Sequence, residues 1–284
     1  MAQVARTPSE DHRHKRPRSA SAERHGKGFR PDVEGLRAIA VVLVLLFHAK
    51  LAGVPGGFIG VDVFFVISGF LITGILLDTR KRERCLRDFY VRRVLRIFPI
   101  YYASLAFFTV ILWTQDTVRS ERMLANMPWF WTYLQNYLIA FRGWSFMLPI
   151  AHFWSLAIEE QFYMVWPLLV VRLRDSRLLV ICAVAAVFSC VLRQFDVSWP
   201  YAYMFTFTRL EGLMLGAALA MLIRTHRSLL ERAVPYTLPI SSLGLAIVAW
   251  TQRGFHISNE WVIRAGYPLM AVFFGSILLV ALDE

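Results

Sequence analysis

Nine apolar runs, most of them close to the length that crosses a bilayer and set apart by charged linkers, constrain this chain more than any other feature. They are Leu36 to Leu51, Phe58 to Leu77, Ile97 to Trp113, Pro128 to Phe141, Phe153 to Val171, Leu178 to Phe195, Tyr201 to Ile223, Val234 to Trp250 and Trp261 to Leu282. About 20 apolar residues in a helix match the hydrocarbon thickness, and a helix satisfies its backbone groups without water. The expected fold is therefore all-α, a polytopic transmembrane helical bundle. Composition agrees: 57% of the 284 residues are apolar and 18% charged, against about 45–50% and 25% in soluble domains. The counts of 16 Gly, 12 Pro and 3 Cys exclude collagen, low-complexity disorder and a disulfide scaffold. The net charge of +11 reads as the basic cytoplasmic face of a membrane protein rather than a nucleic-acid site. The lipid bilayer is the expected partner, nucleic acid is not, and nothing sets an oligomeric state.

Residues 1–28 are rich in Arg, Lys, His and Ser with almost no large apolar side chains, so they form an expected disordered, basic cytoplasmic tail before a membrane domain over 29–284. The first span follows without a small-residue cleavage site, as a retained span would. His12 and His14 read as part of the solvated tail, and Cys85, Cys182 and Cys190 have no ligand spacing, so no metal is expected. The linker 78–96 carries Arg80, Lys81, Arg82, Arg84, Arg87, Arg92, Arg93 and Arg96, which places it on the cytoplasmic side with the N-terminus. Spans one and two then form a hairpin turned by Gly53, Pro55, Gly56 and Gly57 outside. Nine full crossings would put the linkers with Arg172, Arg174 and Arg177, and with Arg224, Arg227 and Arg232, on the wrong side. Eight full spans plus one re-entrant or interfacial segment restores them, and the suspects are 128–141 and the start of the fifth run.

Polar residues inside these runs are costly and mark candidate sites. Arg37 and His48 are eleven residues apart, about three helical turns, so they share a face about 16 Å apart along the axis. Glu34 lies at i−3 from Arg37 and can pair with it. Arg37 as an interfacial anchor with His48 as a helix cap is the plainer alternative. Asp62 lies in the second run and is placed to orient His48 across the hairpin. Ser68 and Gly69 permit close helix contact. Arg92, Arg93 and Arg96 cluster at the cytoplasmic mouth of the third run before Pro99, Tyr101 and Tyr102, a set suited to phosphate oxygens or to anionic lipid headgroups. The stretch His152-Phe-Trp154-Ser155-Leu-Ala-Ile-Glu159-Glu160-Gln161-Phe-Tyr163 puts Ser155, Glu159 and Tyr163 on one helical face. Arg209 is an expected partner of Glu159 or Glu160, either as a register-setting ion pair or in catalysis.

Four of these motifs together resemble the acyltransferase-3 family of integral membrane O-acyltransferases. They are Arg37-x10-His48, the run from Gly60 through Phe64-Phe65-Val-Ile-Ser68-Gly69-Phe70-Leu-Ile-Thr73, Arg92-Arg93-x-x-Arg96-Ile-x-Pro99-x-Tyr101, and Trp154-Ser155-Leu-x-x-Glu159-Glu160-Gln161-Phe162-Tyr163. The resemblance implies a bacterial inner-membrane enzyme that transfers an acyl group, commonly acetyl from acetyl-CoA as co-substrate, to a hydroxyl of a carbohydrate or lipid-linked glycan. It implies His48, Arg37 and Glu159 as catalytic residues and Arg92, Arg93, Arg96 and Tyr101 on the CoA. The shared cavity would hold Glu34, Asp62, Ser68, Trp154, Ser155, Glu160, Tyr163 and Arg209. Such proteins have about ten spans, so a chain that stops at Asp283-Glu284 straight after a span is expected to be a short member or a truncated one. The competing classes are a transporter or flippase of an anionic lipid-linked sugar, which would also need intramembrane charges, and a structural subunit, which would not.

Overall fold

The computed structural model describes residues 31–49, 56–115, 117–143, 150–195 and 198–282, and every regular element among them is helical. The tail 1–28, with His12 and His14, lies outside the described residues, as do Gly53 and Pro55 of the expected hairpin turn. Helix α1 (Pro31–His48) opens on a proline with Asp32 and Glu34 in its first turn, both suited to a helix N-terminus. A 3-10 turn, Gly57–Ile59, leads into α2 (Gly60–Thr79). Then follow α3 (Cys85–Thr114), α4 (Val118–Trp131), α5 (Gln135–Arg142), α6 (Trp154–Arg172) and α7 (Asp175–Leu192). The chain continues through α8 (Trp199–Met204), α9 (Leu210–Thr225), α10 (Arg227–Thr251) and α11 (Tyr267–Ala281), the last entered through a π-helical turn, Val262–Gly266.

Five stretches are long and apolar enough to cross a membrane: 57–79, 85–114, 175–192, 227–251 and 262–281. Among the remaining helices, α1 carries Asp32, Glu34 and Arg37, α6 carries Glu159 and Glu160, and α9 is entered at Arg209 and carries Glu211. Helix α2 is the hub, since α9, α6 and α11 all pack on it. Its tightest contact is with α9: a Cβ on Gly216 would lie 2.0 Å from the Val66 carbonyl oxygen, and one on Gly69 2.0 Å from that of Leu213. Backbone cannot yield there as a side chain can, so Gly216→Ala is expected to destabilise the protein by about 1–3 kcal/mol. Thermal unfolding in detergent reads this out, and an unchanged midpoint would disprove the contact.

Three expectations need correction. The third span begins at Cys85 rather than Ile97, so Arg92, Arg93 and Arg96 lie on the helix and Pro99 sits inside it. The run 128–141 is not one segment: α4 and α5 meet at a break where Tyr133 adopts φ +56°. With 14 and 8 residues, they extend about 21 and 12 Å, short of the hydrocarbon thickness. The run 201–223 is also broken, into α8, a 3-10 turn over Thr206–Thr208, and α9.

Both breaks free backbone groups that buried side chains take up, as irregular backbone inside a membrane protein requires. Asn136 Nδ2 donates to Met204 O (3.1 Å) and Thr206 Oγ1 (2.9 Å). Gln161 Nε2 donates to Tyr133 O (2.8 Å) and Asn136 Oδ1 (2.9 Å), while its Oε1 accepts from Thr206 Oγ1 (2.5 Å). One glutamine on α6 therefore clamps the two breaks to each other. Ser189 Oγ donates to Phe207 O (2.7 Å) and accepts from Leu210 N (3.1 Å).

The bundle has a basic end, where Arg80 meets Asp175 (2.5 Å) and Arg224 meets Asp78 (2.8 Å). The end of α1 and the starts of α2, α6 and α8 gather at the opposite end.

Candidate functional site

At that opposite end lies a cavity of about 480 Å³ whose walls come from α1, α2, α6, α8 and the segment before α11. Phe58, Trp154, Trp199 and Tyr203 give it aromatic walls, and His48, His152 and Ser155 give it polar groups. The ring of Trp154 packs on Tyr203 at 4.4 Å between centroids, which fixes both. His48 is exposed at the last turn of α1, and its Nδ1 lies 2.8 Å from the Val44 carbonyl oxygen. A carbonyl only accepts, so Nδ1 carries the hydrogen, and in the neutral ring Nε2 keeps its lone pair. The His152 ring faces His48 edge-on, with centroids 6.0 Å apart.

A polar stripe starts in the cavity wall at Ser155 and steps along α6 toward the basic end through Glu159 and Tyr163, about 6 Å per step. Ser68 of α2 donates to Glu159 Oε1 at 2.6 Å. Arg93 of α3 lies with its guanidinium 3.5 Å from the centre of the Tyr163 ring and its Nε 3.6 Å from Glu160 Oε1. Arg37 donates to Glu34 Oε1 at 3.0 Å, as the spacing implied. Side chains of α2 and α3 thus meet the α6 stripe between the cavity and the basic end, Ser68 at Glu159 and Arg93 at Glu160 and Tyr163. A cation stacked on a tyrosine and paired with a carboxylate suits a partly buried position, because one face of the guanidinium and its N–H edge are both used.

A third group is buried beneath the cavity. Arg209 Nη2 donates to Asp62 Oδ1 at 2.5 Å, its Nε lies 4.0 Å from Glu211 Oε1, and Arg193 pairs with Glu211 at 3.0 Å. Arg193 also donates to the Thr208 carbonyl at the helix break. The Arg209 guanidinium lies 4.9 Å from the Tyr203 ring and 4.1 Å from that of Tyr267. Two cations and two carboxylates balance, which makes their burial tolerable.

These contacts revise four assignments. Arg209 partners Asp62, not Glu159 or Glu160, and Arg93 is the partner of Glu160. Asp62 consequently does not orient His48. Arg93 turns inward, leaving Arg92 and Arg96 as the exposed pair on α3. Tyr101 is buried in packing: its hydroxyl donates to Phe130 O (2.7 Å) and its ring stacks on Tyr133. Sequence reasoning assigned no role to His152, Tyr203, Tyr267 or Arg193. For Arg193 a signal existed, since it is an arginine at the end of the bundle opposite the basic linkers. Among the described residues no three His, Cys, Asp or Glu side chains converge as a metal site would require.

A family model described as an acyltransferase domain matches residues 30–283, which include all eleven helices. The chain belongs to the acyltransferase-3 family. Among its relatives is a Bacillus subtilis protein that carries the provisional name peptidoglycan O-acetyltransferase, 37% identical over 216 residues, 67% of this chain and 33% of the relative. A Staphylococcus aureus protein provisionally named an O-acetyltransferase is 32% identical over 266 residues, 86% of this chain and 44% of its own. The peptidoglycan O-acetyltransferase of Listeria monocytogenes is 35% identical over 152 residues, 51% of this chain and 24% of its own. This acyltransferase-3 chain therefore spans less than half the length of these relatives. No solved structure matches it.

Proposed function

We propose that this chain forms the membrane domain of an O-acyltransferase that moves an acetyl group from acetyl-CoA to a hydroxyl of a peptidoglycan-type glycan. The observation that carries the reading is the His48 imidazole, held through Nδ1 with Nε2 free, in an aromatic-walled cavity continuous with the polar stripe of α6. A neutral imidazole in that state takes the acceptor's hydroxyl proton as the oxygen attacks the thioester carbonyl. The carbon–sulfur bond breaks, the acyl group ends on the oxygen, and CoA leaves as its thiol once sulfur gains a proton. The names of the relatives support a glycan acceptor. Aromatic faces beside polar groups suit a sugar ring, which is apolar on its faces and polar at its edges.

In this reading the basic end and the N-terminus face the cytosol of a bacterial cell. Helices α1, α2, α3, α6, α7, α8 with α9, α10 and α11 make eight traverses, and α4 with α5 forms the partial segment. Arg92 and Arg96, one turn apart and exposed, meet the phosphates of CoA, a role arginine forks suit. Arg37 and Glu159 lie between that entry and His48.

The test incubates membranes bearing the full protein with acetyl-labelled CoA and peptidoglycan, against membranes lacking it. Label in glycan matched by released CoA thiol is the expected result. Absence of both would overturn the reading, and glycan movement across the membrane without thiol release would place a transporter in its stead.

A further inference from the structure

We infer that His152 is a second catalytic residue of the acyl transfer, the acid that protonates the departing sulfur while His48 removes the acceptor's proton. The inference rests on the reading of the cavity as the transfer site. His152 sits in the 3-10 turn Ile150–Phe153, where Ile150 and Ala151 are 1% and 0% exposed and the next residue, Trp154, is 3% exposed. Phe153 is half-buried, whereas His152 is exposed and lines the cavity. The turn is also fixed in place, because Gln135 Nε2 donates to the Phe153 carbonyl at 2.8 Å. That bond ties the turn to α5, so the imidazole is presented by a rigid element rather than a loose loop.

The two histidines arrive from different elements, α1 and the turn before α6, with ring centroids 6.0 Å apart at an interplanar angle of 74°. Rings this close can serve two neighbouring reacting atoms at once. Acyl transfer needs two proton movements at neighbouring atoms, one from the attacking oxygen and one to the leaving sulfur. His48 has a single free nitrogen, since Nδ1 is engaged by Val44, so one ring would have to swing between the two atoms. Two rings remove that motion. In the balanced step the acceptor O–H gives its proton to His48 Nε2 and its oxygen bonds to the acyl carbon. The carbon–sulfur pair goes to sulfur, which takes the His152 proton, and the pair is reset by passage of one proton from His48 to His152. Tyr203 is the other titratable group in the cavity wall, Glu159 lies one turn below Ser155, and His256 adjoins wall residue Ile257.

The experiment compares wild type with His152→Gln, and with His152→Asn should glutamine fail to accumulate, in the acetyl-CoA assay across pH at matched protein and matched melting midpoint. Acid catalysis at His152 and base catalysis at His48 together give a bell-shaped kcat profile. His152→Gln is expected to lower kcat about 10- to 100-fold with KM unchanged. This is below the usual range for proton transfer, because thiolate is already a fair leaving group. The alkaline limb of the profile should disappear and the acid limb remain. A variant with wild-type kcat and both limbs overturns the inference, as does one that changes KM alone. If wild type itself transfers no label, the proposed function fails instead, and the two failures are thereby told apart.

Discussion

Replacing His48 by alanine is expected to lower acetyl transfer by about 10²–10⁴-fold, the usual contribution of a positioned general base, with the protein still accumulating in the membrane. The structure separates chemistry from folding at this residue. His48 is exposed at the end of α1; among the described residues its hydrogen-bond and ring contacts are one bond to the Val44 carbonyl and edge contacts with Phe47 and His152. None of these is buried packing, and surface changes of this kind usually move stability by no more than about 0.5 kcal/mol. The loss should fall on kcat, because an interaction made only during proton transfer contributes nothing to ground-state binding. His48→Gln sharpens the test: the amide can still donate to Val44 O, yet it offers no basic nitrogen. Glutamine is therefore expected to be as inactive as alanine. Wild-type activity in either variant, with equal protein in the membrane, would remove His48 from the mechanism.

The parts of this molecule that the sequence discloses are those the bilayer imposes. Apolar length locates helices because lipid permits little else, and the Arg37–Glu34 pair and the Ser155, Glu159, Tyr163 face follow from helical periodicity alone. What hydropathy does not report is whether the backbone stays continuous inside an apolar run. The breaks at Thr132–Leu134 and Phe205–Arg209 are held open by Asn136 and Gln161, side chains that read as ordinary polar residues until tertiary structure brings them together. Partner choice is hidden for the same reason. Asp62 and Arg209 are 147 residues apart, and charge alone leaves Arg209 free to pair with Asp62, Glu159 or Glu160. The decision is made by packing: Gly216 and Gly69 let α2 and α9 touch backbone to backbone, which carries Arg209 to Asp62 and leaves Glu160 to Arg93.

That pairing sets the second large effect. Arg209→Met keeps much of the side chain's volume but strands Asp62, which is 3% exposed, as an uncompensated carboxylate. Breaking a buried pair by removing one partner typically costs about 3–5 kcal/mol, a large share of the stability of most folded domains. In a chain of this size that corresponds to a fall of about 10 °C in the unfolding midpoint. Glu211 suffers less, because Arg193 still reaches it at 3.0 Å. The double variant Asp62→Asn with Arg209→Met removes both charges together, so it is expected to recover at least half of the lost stability. Thermal unfolding in detergent and membrane accumulation measure both variants. Should the single variant melt with wild type, the pair would hold no charge out of water. Should the double variant be no better than the single, Arg209 would act through its stacking on Tyr203 and Tyr267 rather than through Asp62. The outcome also bears on the cavity, because Tyr203 is at once its wall and one face of the Arg209 cage. Loss of the guanidinium frees that ring, so the double variant, stable but uncaged, should show a raised KM for the glycan acceptor with kcat little changed.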